Sequence, residues 1–353
     1  MDGERVLSKA RIVALSTVIP EKKLSLQELA ELYGDDYIER ITKSTGIKEV
    51  TVAAEDKTSA DYCYEAALKV LKETGLSPSD IDGLIFLSET PDYIIPNTAA
   101  ILQERLGLPT NSVNFDMRLG CAGYVYGLFQ ASMMIECGYC KNVLFLAGDT
   151  MSKYTNVHDR SLKMVLGDAA SATLISRSDN PTPSMYNFFV DGSGANSIII
   201  PAGGCRMPIK HGVTDVLEYD ADGNGRTLEN VCMNGMDVMV FAINQAPKLI
   251  NGLLESTGWS KDDVGLFALH QANKIIVDRI VKVLKIDKDK APFNIEDTGN
   301  CGFVSIPLLL STYYSGINSD LNKVIACGFG TGLIAAAAAL DLSQTNIIKT
   351  FSV

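Results

Sequence analysis

The sequence predicts an α/β protein built from two related halves. Short, fully apolar runs of strand length alternate with segments whose apolar residues recur at helical spacing. The order strand, helix, buried strand occurs on both sides of Asn180. Between them SRSDNPTPS (176–184) carries the Ser, Asp, Asn and Pro that mark a connection. Fully apolar strands between helices indicate sheets covered on both faces, and a duplicated α/β unit forming one body follows. The halves are expected near 1–178 and 179–353.

In the first half, DIDGLIFLSE (80–89) reads as a strand and TAAILQERLGL (98–108) as a helix. VNFDM (113–117) is a strand, followed by the helical spacing of AGYVYGLFQASMMIECG (122–138). NVLFLAGD (142–149) is a continuous apolar run ending in a turn, and AASATLISR (169–177) is a further strand. In the second half, a polar, glycine-rich stretch over about 192–230 reads as an excursion with a turn at DADGNGR. A long helical region (234–258), the strand VGLFALH (264–270) and the amphipathic helix ANKIIVDRIVKVLKI (272–286) follow. FVSIPLLLSTYYSGI (303–317) is a helix, and KVIACGFGTGLIAAAAALDL (323–342) is a closing strand pair around a glycine turn.

The 353 residues suffice for two fused halves, each with its own core. A net charge of −11 argues against a nucleic-acid surface. No stretch approaches the roughly 18 uninterrupted apolar residues of a membrane span, and the charged N-terminal residues lack the apolar core of a signal peptide. A cytoplasmic, non-membrane protein is expected, with its eight scattered cysteines as free thiols. Cys137 and Cys140 have CxxC spacing, but they close a helix rather than open one and have no second ligand pair, so a structural role is expected.

Cys121 is set apart by its position. It follows the strand VNFDM, opens the next helix and has Gly120 and Gly123 on either side. A thiol at a helix N-terminus meets unpaired N–H groups and the positive end of the dipole, which favour the reactive thiolate. A nucleophilic cysteine needs a partner. His158 and His211 lie in polar stretches and read as surface residues. His270 ends a buried strand, where α/β sheets place function; a core histidine bonded to backbone is the other reading. Asn300, in a loop beside Gly299, reads by itself as a turn residue.

Taken together, FDMRLGCAGYVYG (115–127), ALHQAN (268–273), EDTGNCGFVSIP (296–307) and CGFGTG (327–332), in that order and spacing, resemble a β-ketoacyl-acyl-carrier-protein synthase III of the thiolase superfamily. STGIKE (44–49), SETPDYIIPNTAA (88–100) and LGDAASATLI (166–175) extend the resemblance over nearly the whole chain. It implies a thiolase fold, two α/β halves forming a five-layer αβαβα sandwich. It also implies an acyltransferase with Cys121 as nucleophile and His270 with Asn300 as the decarboxylation pair, the backbone N–H groups of Cys121 and Thr331 holding the oxyanion.

On the same basis an acyl thioester loads Cys121, a malonyl thioester condenses with it, and no metal or redox cofactor is required. Substrate-binding roles are implied for Asn273, Arg40, Tyr37, Arg160 and Ile95. A homodimer and an acyl carrier protein are the implied partners, with Lys274, Arg279, Lys282 and Lys285 as a basic docking face.

The chain departs from the family pattern at several positions. Thr331 stands where a glycine is usual. Arg40 and Ser44 stand where coenzyme-A-primed enzymes have a tryptophan and an arginine, with Tyr37 nearby to stack on adenine. Ile275 replaces the arginine after HQAN. A specialised-pathway relative is therefore as consistent as a housekeeping initiator. Ile95 falls where non-decarboxylating members carry a glutamate base, which favours decarboxylation. Glu89, in SETP, is left for a geometry like that of hydroxymethylglutaryl-CoA synthase. Ester formation, non-decarboxylating condensation and a Cys–His–Asn hydrolase are the alternative activities.

Overall fold

The computed structural model describes residues 6–180 and 183–353. Residues 181–182 of the expected connection and the first five of the charged N-terminal stretch lie outside the described residues.

Two mixed sheets organise the chain. A seven-stranded sheet runs Asn346–Ile347, Ala10–Ile19, Ala169–Arg177, Asn142–Asp149, Gly83–Leu87, Val113–Met117, with Phe351–Ser352 also alongside Ala10–Ile19. A five-stranded sheet runs Val6–Leu7, Ser184–Val190, Ile334–Leu340, Val324–Gly330, Leu266–Leu269. The termini cross over: the first strand pairs with Ser184–Val190, and the last two pair with Ala10–Ile19.

Apolar packing defines five layers. Helices Ser59–Thr74 and Thr98–Leu106 cover the outer face of the larger sheet, packing Ala66, Val70 and Leu102 against Leu84, Phe86 and Leu146. Helices Gly235–Thr257 and Lys274–Leu284 cover the outer face of the smaller one. Between the sheets lie Gly123–Glu136 and Ser305–Tyr313, whose Val125, Leu128, Leu308 and Leu309 share one cluster with Ile85 and Phe145 of one sheet and Ala326 and Ala338 of the other. A helix buried against two sheets has to be apolar on nearly every side, as the sequence of these two helices is. The fold is the thiolase-type αβαβα sandwich.

The strands Val113–Met117, Asn142–Asp149 and Ala169–Arg177 and the helix Gly123–Glu136 stand where the sequence patterns place them. The helix expected over 303–317 is shorter: a single 3₁₀ turn, Gly302–Val304, leads into Ser305–Tyr313. Gly316, at φ 98°, makes the turn after it. The excursion contains two small ladders, Ile198–Ile199 with Cys232–Met233 and Glu218–Tyr219 with Gly225–Arg226. No described helix is long and apolar enough to cross a membrane.

Strand register positions the site. Leu87 lies opposite Met117 on one side and Ala147 on the other, in parallel, so residues just past these three positions emerge at one sheet edge. In the smaller sheet Leu269 lies opposite Cys327, also in parallel, which brings out His270 and the 328–331 turn together.

Candidate active site

Cys121 sits in the turn joining Val113–Met117 to Gly123–Glu136, closed by Gly123 N–H donating to the Gly120 carbonyl (2.6 Å). The end of Val324–Gly330 passes directly over it. A Cβ at Gly330 would fall 2.8 Å from the Cys121 sulfur, and one at Gly328 would fall 2.6 Å from its carbonyl oxygen. Only glycine permits this approach of one half of the chain to the nucleophile of the other. The backbone N–H groups of Cys121 and Thr331 are directed at the sulfur and favour its ionised form.

The two N–H groups do not act alone on the thiol. Burial raises the thiol, the nearby Glu89 and Asp149 carboxylates add to it, and together they outweigh the two N–H groups, so the thiol is pushed up to about 12. Cys121 rests protonated.

His270 follows Leu266–Leu269, its N–H donating to the Cys327 carbonyl (2.8 Å). It is buried, 1% exposed, and its Nδ1 lies 2.7 Å from Ser305 Oγ. That hydroxyl accepts from the Gln271 N–H (3.1 Å) and so has its proton to give to Nδ1. An Nδ1 that accepts leaves the ring proton on Nε2 of a ring that lines the cavity. Burial lowers the imidazole to about 3, with a hydrogen bond to the Gly302 backbone working the other way. The ring is neutral.

Asn300 is pinned by its backbone: its N–H donates to Val165 O (2.8 Å) and its carbonyl accepts from Gly167 N–H (3.1 Å). Its Oδ1 accepts from the Gly302 N–H (3.0 Å). That bond orients the amide and leaves Nδ2 as the donor. Gly299 before it has φ 73°, and a Cβ there would meet Val165 O at 2.8 Å.

Cys121, His270, Asn300, Thr331 and Asn273 line a single cavity, together with Glu89 and Asp149. Asn273 also caps helix Lys274–Leu284, its Oδ1 accepting from Ile276 N–H (2.9 Å). Leu162, Ile198, Val238, Ile276 and Phe329 give the cavity an apolar wall suited to an acyl chain.

Asp149, at the end of its strand, went unnoticed in the sequence, although an acid terminating an apolar strand at the functional edge was a visible signal. Its Oδ1 accepts from Ser88 Oγ (2.9 Å), Glu89 N–H (2.8 Å), Thr90 N–H (3.1 Å) and Thr90 Oγ1 (3.1 Å). Burial, then the charge of Glu89, raises its carboxyl above the usual range, while these donors pull it down. Glu89 is raised by burial too, against the pull of Arg118.

The other implied residues lie outside this cavity. The Arg160 guanidinium sits 4.4 Å and that of Arg40 5.0 Å from the Tyr37 ring centroid, so these three form one cluster. Ile95 is 83% exposed on a loop that does not line the cavity of its own chain. Lys274, Arg279, Lys282 and Lys285 are exposed, Lys274 pairing with Asp278 at 2.9 Å. His158 and His211 are exposed, and the eight cysteines are free.

The duplicated α/β sandwich, with a cysteine at the head of one central helix and a neutral histidine and asparagine supplied by the other half, defines a thiolase-superfamily acyltransferase. Residues 115–194 match the family model 3-oxoacyl-[acyl-carrier-protein (ACP)] synthase III, and 254–342 match the model of its C-terminal part. A β-ketoacyl-[acyl-carrier-protein] synthase III of Caldanaerobacter subterraneus subsp. tengcongensis is 32% identical over 95% of this chain and 98% of its own. A solved 3-oxoacyl-(acyl-carrier-protein) synthase III superposes with a TM-score of 0.88 at 36% identity, covering 94% of this chain and 99% of its own. The 3-oxoacyl-(acyl-carrier protein) synthase of Burkholderia xenovorans LB400 does so with a TM-score of 0.90 at 31% identity over 100% of both chains. The chain belongs to the 3-oxoacyl-[acyl-carrier-protein] synthase III family and is a condensing acyltransferase.

Proposed function

We propose that the protein carries out a decarboxylative Claisen condensation in two half-reactions. An acyl thioester first transfers its acyl group to Cys121 Sγ, its carbonyl oxygen facing the N–H groups of Cys121 and Thr331. A malonyl thioester then binds with its thioester oxygen toward His270 Nε2–H and Asn300 Nδ2–H. Carbon dioxide departs, the bonding pair moves onto the α-carbon and the carbonyl, and the two donors hold the enolate oxygen. The carbanion attacks acyl-Cys121, expelling the thiolate and giving the β-ketoacyl product, which starts a fatty-acid or specialised lipid or polyketide chain. The observation that carries this reading is the pair of fixed donors, each oriented by a bond at its other end, converging on the cavity of the thiol.

Further roles fit the same reading. Tyr37 with Arg160 and Arg40 offers an aromatic and cationic clamp for a nucleotide-bearing carrier. The cations of Lys274–Lys285 begin four residues after His270 and suit an acidic carrier protein. Tyr93, Ile94 and Ile95, 61%, 86% and 83% exposed, suit burial against a second copy, making a homodimer of chains with halves 1–178 and 179–353. A second reading comes from Glu89 in the cavity: a carboxylate that enolises an acyl thioester without decarboxylation.

The test is intact-mass spectrometry with a panel of acyl-coenzyme A and acyl-carrier thioesters, followed by a malonyl thioester. The expected result is a mass increment lost in Cys121→Ala, then carbon dioxide release with β-ketoacyl product. Acylation without any turnover of malonyl thioesters refutes the decarboxylative reading.

A further inference from the structure

Two carboxyl groups of the cavity, Glu89 and Asp149, are left unused by the condensation. We propose that Glu89 is a fourth catalytic residue: its carboxylate takes the Cys121 proton as the thiol attacks the acyl thioester, and gives that proton to the thiolate that leaves. The inference rests on acyl loading of Cys121, a step common to both readings above.

The need for such a group follows from the resting state of the thiol. Cys121 is protonated, so attack requires an acceptor within the cavity. His270 is poorly suited. Its Nδ1 is held by Ser305, its Nε2 carries the proton needed for the enolate, and burial opposes adding another. Asn300 has no proton to exchange, and its Oδ1 is occupied by Gly302. Asp149 has one oxygen taken by four donors from residues 88–90, which makes it the anchor of the segment carrying Glu89.

Glu89 is the acid that remains. It lines the cavity with Cys121, and among the described residues its carboxylate makes no hydrogen bond or ion pair within the residues' own contacts. The titratable groups facing it are Asp149 on the neighbouring strand, Cys121, His270 across the cavity, and Arg118 from the strand-to-helix turn. Burial lifts the carboxyl toward neutrality, Arg118 draws it back, and the same-sign Asp149 ensures that the two acids do not ionise together freely. A carboxylate poised near neutral pH both accepts and releases a proton readily.

The exchange balances. The Sγ–H proton passes to a Glu89 oxygen, the Sγ–acyl bond forms, and the bond from the acyl carbon to the carrier sulfur breaks. The carrier thiolate then takes the proton, and Glu89 returns to its carboxylate with no other reactant consumed.

The experiment is single-turnover acylation of the full-length protein, followed by quenched intact mass across the neutral pH range, for the wild type and Glu89→Gln. Because the acceptor form of Glu89 grows as pH rises, the wild-type rate should rise through neutrality and level off above it. Glu89→Gln should load about 10²-fold more slowly and lose that neutral limb, with Glu89→Asp between the two. Circular dichroism and the melting temperature of Glu89→Gln should match the wild type, which shows that its fold is intact. Loading of Glu89→Gln at the wild-type rate overturns the proposal, as does slow loading that keeps the neutral limb. If the wild type shows the Glu89-dependent limb but never turns over malonyl thioesters, the proposal stands and the decarboxylative reading falls.

Discussion

Ser305→Ala separates the geometry of His270 from its mere presence. The Ser305 hydroxyl accepts from Gln271 N–H at 3.1 Å and reaches His270 Nδ1 at 2.7 Å, and this directionality puts the ring proton on Nε2. Without the hydroxyl, Nδ1 has no donor, and the neutral ring is free to carry its proton on either nitrogen. The loss is bounded on two sides. Deleting an oxyanion donor outright costs about 3–4 kcal/mol, the expectation for His270→Ala. Losing the bond that biases the tautomer costs about 0.5–1.5 kcal/mol, so Ser305→Ala should decarboxylate malonyl thioesters roughly 2- to 10-fold more slowly.

The Gln271 N–H is also left without its acceptor in a fully buried position, which lowers stability by about 1–3 kcal/mol and the melting temperature by a few degrees. Acylation of Cys121 should hold at the wild-type rate, because that step does not use Nε2–H. The assay pairs carbon dioxide release with intact-mass acylation, and ¹⁵N chemical shifts of His270 report the tautomer directly. Unchanged decarboxylation with the ring still protonated at Nε2 would refute the argument. An equal fall in both half-reactions would show a general structural lesion instead.

Other substitutions test neighbouring parts of the site. His270→Ala and Asn300→Ala should still become acylated but lose decarboxylation by about 10²-fold or more, read by the same two assays. Gly330→Ala places a methyl 2.8 Å from the Cys121 sulfur and should abolish acyl loading with little loss of fold, checked by intact mass and circular dichroism. Tyr37→Ala should raise KM for a coenzyme-A-borne primer about 3- to 10-fold with kcat unchanged, and leave a pantetheine-borne primer unaffected. Reversing Arg279 and Lys282 to Glu should raise KM for carrier-protein substrates only, an effect that fades as salt screens the wild-type attraction.

The local pattern of the chain determined most of its elements. Asn142–Asp149 and Ala169–Arg177 were legible because strands buried on both faces carry long, mainly apolar runs, whereas Val113–Met117, a half-buried edge strand, was legible from the alternation of Val113, Phe115 and Met117 with Asn114 and Asp116. Cys121 was legible for a related reason: a strand-to-helix turn flanked by glycines is a local event. What the sequence could not supply was distance in space. Ile334–Leu340, read from the sequence as one of a strand pair, is nonetheless a run of alanines, residues that favour helix, and its second partner could not be read. It is a strand because Val324–Gly330 and Ser184–Val190 pair with it on both sides, and because small side chains let Ala336 and Ala338 face the central layer while Ala335, Ala337 and Ala339 face the outer one.

The active site shows the same division. His270 and Asn300 were singled out through their motifs, yet the proton on Nε2 depends on a hydroxyl 35 residues away, and the amide orientation on a backbone N–H that only the folded loop presents. The helix position of Cys121 reveals the groups that favour its thiolate but not those that oppose it. A helix terminus is a local feature that the sequence reveals, whereas burial beneath Gly330 and the approach of Glu89 and Asp149 arise when separate strands align their ends at one edge. Residue types and their periodicity are properties of the chain. Desolvation and the sum of charges around an atom are properties of the assembled fold, and here they decide which form the nucleophile takes.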